Sequence, residues 1–153
     1  MSDLGLTIPV SDITKGLATV FRKAEGLWQH SQIITVPDAP QFSHRFGNGI
    51  ALTPNGSRLA IGMSYASGVP NLEFRVGIAY LFDLVDGQYV PSQWMQPNPG
   101  TTKHFGLSLC LSADGSQLIS GARNSDSGGS GVNSSANKEP IAASGDAYIF
   151  TLP

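Results

Sequence analysis

Charge and cysteine are both scarce in this chain of 153 residues. Charged residues make up 13% of it, about half the usual share of a soluble domain. The 9 basic and 11 acidic side chains leave a formal net charge of −2, so no basic patch is available for a nucleic acid and we expect no such partner. The single cysteine, Cys110, excludes an intramolecular disulfide, and no Cys/His spacing indicates a zinc site.

Neither a targeting segment nor a membrane-spanning segment is predicted. The first five residues have neither a positive start nor an unbroken apolar run, so no secretory signal peptide is predicted. No stretch approaches the roughly 18 apolar residues that span a bilayer. We therefore expect a soluble chain without membrane insertion.

Turn-forming residues are abundant, and the chain contains an internal repeat. It has 18 Gly and 10 Pro, with 41% apolar residues to build a core. Residues 44–62 align without a gap to residues 103–121 at an offset of 59, which places Phe46-Gly47 on Phe105-Gly106. A second motif, Gly-x-Ala-(Thr/Tyr)-x-Phe, recurs at residues 16–21, 77–82 and 145–150.

Each repeated segment has the period of a β-strand. Apolar residues alternate on both sides of the turns at residues 54–57 and 113–116, which predicts two hairpins. The Gly-x-Ala motifs are predicted as third strands, and residues 27–34 and 89–94 as fourth strands. Four short antiparallel strands per repeat are typical of a propeller blade, so the predicted class is all-β.

The N-terminal part allows other interpretations. Residues 12–25 have helical apolar spacing behind Asp12, but Gly16 and the repeat favour a strand. Residues 1–15 are predicted to be an arm or edge strand, because apolar side chains alternate there and Pro9 suits an edge. Such an arm could be exchanged between chains.

The order of these motifs resembles the FG-GAP repeat of integrin-α-like β-propellers. The resemblance covers about residues 16–150 and implies rings of about six or seven blades, within the general range of four to eight. The family often carries a calcium loop with alternating aspartates, but the two turns here offer only Asp114. We therefore expect no metal and no cofactor.

Residues 16–153 then form about two blades with partial blades at both ends. Uncovered blade faces would expose a large apolar patch, so a homo-oligomer is expected, with a trimer giving six blades. One chain's first strands could complete the last blade of the next. A two-sheet sandwich folded within one chain is the alternative.

Catalytic motifs are not found, so the chain is predicted not to be an enzyme. The order of its three histidines suggests no triad, and there is no Gly-x-Ser-x-Gly segment. Cys110 aligns with Ala51 inside an apolar strand, which predicts a buried, unreactive thiol.

Binding is expected from the loops after each second strand, residues 63–76 and 122–144, which would emerge on one face. The candidate binding residues there are Tyr65, Phe74, Arg75, Asn124 and Asp126. The predicted function is a non-enzymatic structural or adhesion module that binds other structural proteins, as a phage or virus particle component or in the cytoplasm. The alternative is a sugar-binding lectin in which Trp28 and Trp94 stack on sugar rings.

Overall fold

The computed structural model describes residues 16–37, 45–66, 76–97, 104–126 and 142–153, and all regular elements within them are β-strands. None of these residues belongs to a helix that could span a membrane. The predicted arm, residues 1–15, lies outside the described residues, as do Phe74 and Arg75. In chain order the strands are β1 (Ala18–Ala24), β2 (Leu27–Ile34), β3 (Phe46–Leu52), β4 (Arg58–Met63), β5 (Ile78–Val85), β6 (Gln88–Met95), β7 (Ser108–Leu111), β8 (Gln117–Ala122) and β9 (Asp146–Thr151).

These strands form three antiparallel sheets. The first sheet is β1-β2, the middle sheet is β3-β4-β5-β6 and the third sheet is β7-β8-β9. The predicted all-β class and both predicted hairpins are confirmed, and β1 confirms the strand interpretation over the helix. Among the described residues there are thus three sheets, not the two of a simple sandwich.

The middle sheet is packed on both of its faces, because successive side chains of a strand point to opposite sides. On one face, Ile61 and Phe82 share a buried cluster with Ala18 and Ile34 of the first sheet. On the other face, Ala60 and Leu81 share a second cluster with Leu118 and Phe150 of the third sheet and with Phe105, which precedes β7. The sheets therefore stack in the order first, middle, third.

The two hairpin turns repeat each other bond for bond. Thr53 N donates to the carbonyl of Arg58 at 3.0 Å, and Ser112 N donates to that of Gln117 at 3.0 Å. Inside the turns, Ser57 N donates to Asn55 Oδ1 and Ser116 N to Asp114 Oδ1, both at 3.0 Å. The sequence offset of 59 residues is therefore also an offset in three-dimensional structure. An Asx turn of this kind fixes the reversal locally.

Adjacent sheets approach each other very closely at the first glycine of the first two Gly-x-Ala motifs. Gly77 has φ +87°, and a Cβ added there would lie 2.0 Å from the carbonyl oxygen of Phe105. Gly16 repeats this arrangement, with φ +94° and 2.3 Å to the carbonyl oxygen of Phe46. Beside Gly77, Phe105 N donates to the carbonyl of Val76 at 2.8 Å. Only glycine fits such a position without displacing the neighbouring backbone.

The side chain of Arg58 links the middle sheet to the third by hydrogen bonds. Its Nε donates to Asp83 Oδ1 at 2.7 Å, and its Nη1 donates to the carbonyls of Gly115 and Pro153 at 2.9 and 3.1 Å. Partial burial raises the pKa of Asp83, but hydrogen bonds from Arg58 and Ser92 and the charge of Arg58 outweigh it and leave the pKa below its usual value.

We predict that Gly77→Ala destabilises the chain much more than Gly87→Ala. Both glycines have φ near +80°, at +87° and +79°, but nothing lies within 4 Å of a Cβ added at Gly87. The backbone strain is therefore matched, and the difference measures the close approach of Phe105. We expect an additional loss of about 2–3 kcal/mol in the free energy of unfolding, measured with urea. Equal losses of unfolding free energy in the two variants would contradict the prediction, because the close approach of Phe105 would then add nothing to the effect of the substitution.

Candidate functional site

Two equivalent residues precede the Phe-Gly motifs in a left-handed conformation. Arg45 has φ 71° and His104 has φ 59°, and they are separated by the repeat offset of 59 residues. Non-glycine residues in this region cost about 1–3 kcal/mol, and they persist only where the surroundings hold them. The chain reversal before each Phe-Gly motif is therefore a fixed feature of the repeat.

Tyr65 lies between these two residues. The Cζ of Arg45 is 3.8 Å from the centroid of the Tyr65 ring, and the rings of Tyr65 and His104 meet edge to face at 4.7 Å. Arg45 is exposed, Tyr65 is half-buried and His104 is buried. This loop-end cluster joins the middle and third sheets. Its exposed guanidinium and partly exposed ring offer binding contacts to an anionic or aromatic group of a partner.

The corresponding corner of the third sheet contains Asn124 and Asp126, both half-buried. Asp126 Oδ1 accepts a hydrogen bond from Ala143 N at 2.9 Å, and Ser125 Oγ donates to Asp146 Oδ2. These two bonds therefore join the beginning of the loop to its end.

The two predicted binding loops leave their sheets through equivalent bonds. Ala66 N donates to Met63 O as Ser125 N donates to Ala122 O, both at 3.2 Å. Gly77 N then donates to Ala66 O at 3.1 Å, as Gly145 N does to Ser125 O at 3.0 Å. The structure thus gives the two loops the same attachment. Of the predicted binding residues, Tyr65 contacts Arg45, a residue that the sequence motifs did not indicate.

An apolar row crosses the outer face of the third sheet. Cys110 pairs with Ile119, which pairs with Ile149 across β7, β8 and β9. Ile119 is 43% exposed and Ile149 66% exposed. We call these three residues the outer row.

The equivalent row of the middle sheet is covered. It consists of Ala51, Ala60 and Leu81, paired in the same way. Ala60 is 0% and Leu81 1% exposed because the third sheet packs on this face. The outer row therefore occupies a face that the repeat uses for packing against another sheet.

The first sheet has an uncovered face as well. Phe21 occupies the position in its Gly-x-Ala motif that Phe82 occupies in the middle sheet. Phe82 is 1% exposed between the first and middle sheets, whereas Phe21 is 54% exposed and has its ring edge to face with His30 at 5.9 Å. Each of the two outermost faces of the stack therefore exposes apolar side chains.

The expected burial of Cys110 is wrong. The thiol is exposed, because the described residues include no further sheet beyond the third, whereas Ala51 faces one. The alignment identified the correct strand position but not the difference in cover.

Trp28 and Trp94 are both exposed, on β2 and β6. Trp28 pairs with Lys23 and Trp94 with Tyr80, so the two indoles occupy different positions along equivalent strands. The geometry leaves each ring accessible but does not form a repeated aromatic site.

The carboxylate of Asp114 accepts hydrogen bonds from other residues of its own turn. The donors are Ser112 Oγ at 2.6 Å, Ser116 N at 3.0 Å and Ser116 Oγ at 2.9 Å. These bonds, above all that from Ser112, lower its pKa to about 2. Over the described ranges, no group of three or more His, Cys, Asp or Glu residues could hold a metal ion.

Comparison of the chain with models of known protein families and with curated proteins finds no match. The resemblance to FG-GAP repeats therefore remains a prediction from the sequence motifs.

We predict that Asp114→Asn removes a pH-dependent contribution to stability and leaves the fold intact. The first repeat has Asn55 at this position and forms the same turn, so the substitution copies a natural arrangement. Because the folded pKa of Asp114 is depressed to about 2, its charge stabilises the fold above its unfolded pKa and loses this effect as pH falls through 2. The stability difference between wild type and variant should shrink between pH 5 and pH 2 in urea titrations. A difference that is constant with pH would contradict the assignment.

Proposed function

We propose that this chain is a non-enzymatic structural module of β-propeller type. Its sheets act as blades, and copies associate head to tail so that each uncovered end face is covered by the next copy. The observation that carries the proposal is the outer row, which is exposed although its counterpart in the middle sheet is buried.

The repeat indicates that the two uncovered faces could pack against each other. The face of the middle sheet that carries Leu81 receives the face of the third sheet that carries Phe150. Phe21 is the first-sheet equivalent of Phe150. A second copy can thus place its Phe21 face on the outer row, in a heterologous contact that closes into a ring after a fixed rotation.

Burial of this row supplies a driving force for association. Isoleucine side chains that become fully buried contribute about 1.5–3 kcal/mol each. Three copies with about two blades each would give six blades, and a trimer is therefore the proposed assembly.

Such a ring would present its loops for protein binding. The loops after β4 and β8 have the same attachment to their sheets, so in a ring they would recur on one face. The loop-end cluster of Arg45, Tyr65 and His104 is held there by ring and cation–π contacts. A rigid scaffold that displays loops suits a structural or adhesion role.

We predict that Ile149→Lys converts the assembly to a folded monomer. A lysine in the outer row would bury an unpaired charge when a second copy packs on it. The matched control is Val90→Lys, because Val90 is also an exposed β-branched residue, on β6. Sedimentation velocity and native mass spectrometry should show oligomeric wild type and Val90→Lys but monomeric Ile149→Lys.

A wild-type chain that stays monomeric and folded at high micromolar concentration would contradict the proposal. Equal disruption by the Val90 and Ile149 substitutions would contradict the assignment of the interface to the outer row.

The exposure of Trp28 and Trp94 favours sugar binding as a second candidate function. Each indole could stack on a sugar ring. We expect any binding detected on a glycan array to be lost in the Trp28→Ala and Trp94→Ala variants if their folds are intact. Binding that survives both substitutions would exclude these residues as the sugar site.

A further inference from the structure

A cleft of about 400 Å³ lies between the edge of β1 that faces away from β2 and the face of the middle sheet that carries Ile50 and Leu59. One wall is formed by residues 18–22 of β1. The opposite wall includes Ile50 and Leu52 of β3, both more than half exposed, and Leu59 of β4. The cleft is thus bounded by a strand edge on one side and aliphatic side chains on the other.

The third sheet shows what covers this kind of surface. Leu109 and Leu111 are the repeat equivalents of Ile50 and Leu52. They are partly buried and pack in the cluster between the middle and third sheets, where β3 and β4 lie against β7. Ile50 and Leu52 lack this cover because the first sheet, as described, contains only the equivalents of β5 and β6.

In the middle sheet, the strand beside β5 is β4, with Ala60 opposite Leu81. The β1 counterpart of Leu81 is Val20, which is paired with Gln32 of β2 on its other side. A strand added to β1 on the cleft side would therefore take the place of β4 and cover Ile50 and Leu52. Such edge addition gains main-chain hydrogen bonds and places alternate side chains on each face.

We propose that this chain's own segment 4–10 occupies the cleft as an added strand antiparallel to β1. The segment has Leu4, Leu6, Ile8 and Val10 at alternate positions, which gives one aliphatic face for Ile50 and Leu52. Residues 11–15 connect it to Gly16 at the start of the described chain, beside the cleft. Counted to Ala18, where β1 begins, the connection is residues 11–17, a little longer than the usual connection between adjacent elements and enough to reverse the chain.

Pro9 fits this placement. Backbone groups of alternate residues point to opposite edges of a strand, so the even-numbered residues 4–10 can bond β1 while the nitrogen of Pro9 points away. Proline is tolerated where its nitrogen faces a free edge. The aliphatic side chains and the bonding backbone groups then belong to the same residues.

The test is hydrogen exchange of β1 in Leu6→Lys and Ile8→Lys, with Thr7→Lys as the control on the opposite face of the same segment. We expect peptides covering residues 17–24 to exchange at least about tenfold faster in the first two variants, and to be unchanged in the control. Peptides covering residues 78–85 should be unaffected in all three. Uniform behaviour of the three variants would overturn the proposal.

The measurement is made in both wild type and Ile149→Lys. An effect of equal size in the two backgrounds would show that the segment acts independently of the proposed assembly. Failure of the added-strand proposal can then be distinguished from failure of the assembly proposal. An effect seen only in wild type would overturn docking within one chain.

A cross-link tests which copy supplies the strand. In a Cys110→Ser background, cysteines introduced at Ile8 and Leu52 are joined with a short bis-maleimide. We expect a cross-linked monomer on a denaturing gel. A covalent dimer, or no cross-link beyond that of a Thr7→Cys and Leu52→Cys control, would overturn the proposal.

Discussion

The stack of sheets depends on the contact between a glycine and the backbone of the following sheet. At Gly16 and Gly77 a carbonyl oxygen of the next sheet lies closer than any side chain would permit. This approach sets the distance between sheets at one end of their strands. It allows Ile61 and Phe82 on one face, and Ala60 and Leu81 on the other, to reach the neighbouring sheets. Without it, the small alanines of the middle sheet would leave voids.

The same contact gives the stack a direction. Gly145 holds the equivalent position in the third motif and has φ +79°. The nearest atom to a Cβ added there is 3.5 Å away, the carbonyl oxygen of Arg123 in its own sheet region. The third sheet thus retains the backbone geometry for receiving a Phe-Gly segment, and no described residue supplies one. Together with the exposed outer row, this motivates the proposed head-to-tail association.

The sequence predicted the strands and their pairing more fully than it predicted exposure. The repeat offset and the period of two identified the hairpin of Ile50 and Ile61, because such signals are local and the Asx turn fixes the reversal. The offset could not show that Cys110 is exposed, since exposure depends on which sheet follows in space. It likewise missed the stacking of Arg45 on Tyr65. These residues lie 20 positions apart in the sequence, and only the folded chain brings them together.

An interface formed on the outer row could not be identical to the interface between the middle and third sheets. Cys110 and Ile119 are larger than their counterparts Ala51 and Ala60. Gly49, where an added Cβ would lie 2.4 Å from the carbonyl oxygen of Gly106, is replaced in the third sheet by Ser108. In the proposed assembly, the covering surface would therefore lie farther from the outer row at this point than the third sheet lies from the middle sheet. The surface proposed to face it is the Phe21 face of a first sheet, which has only two described strands and would leave space for these larger side chains.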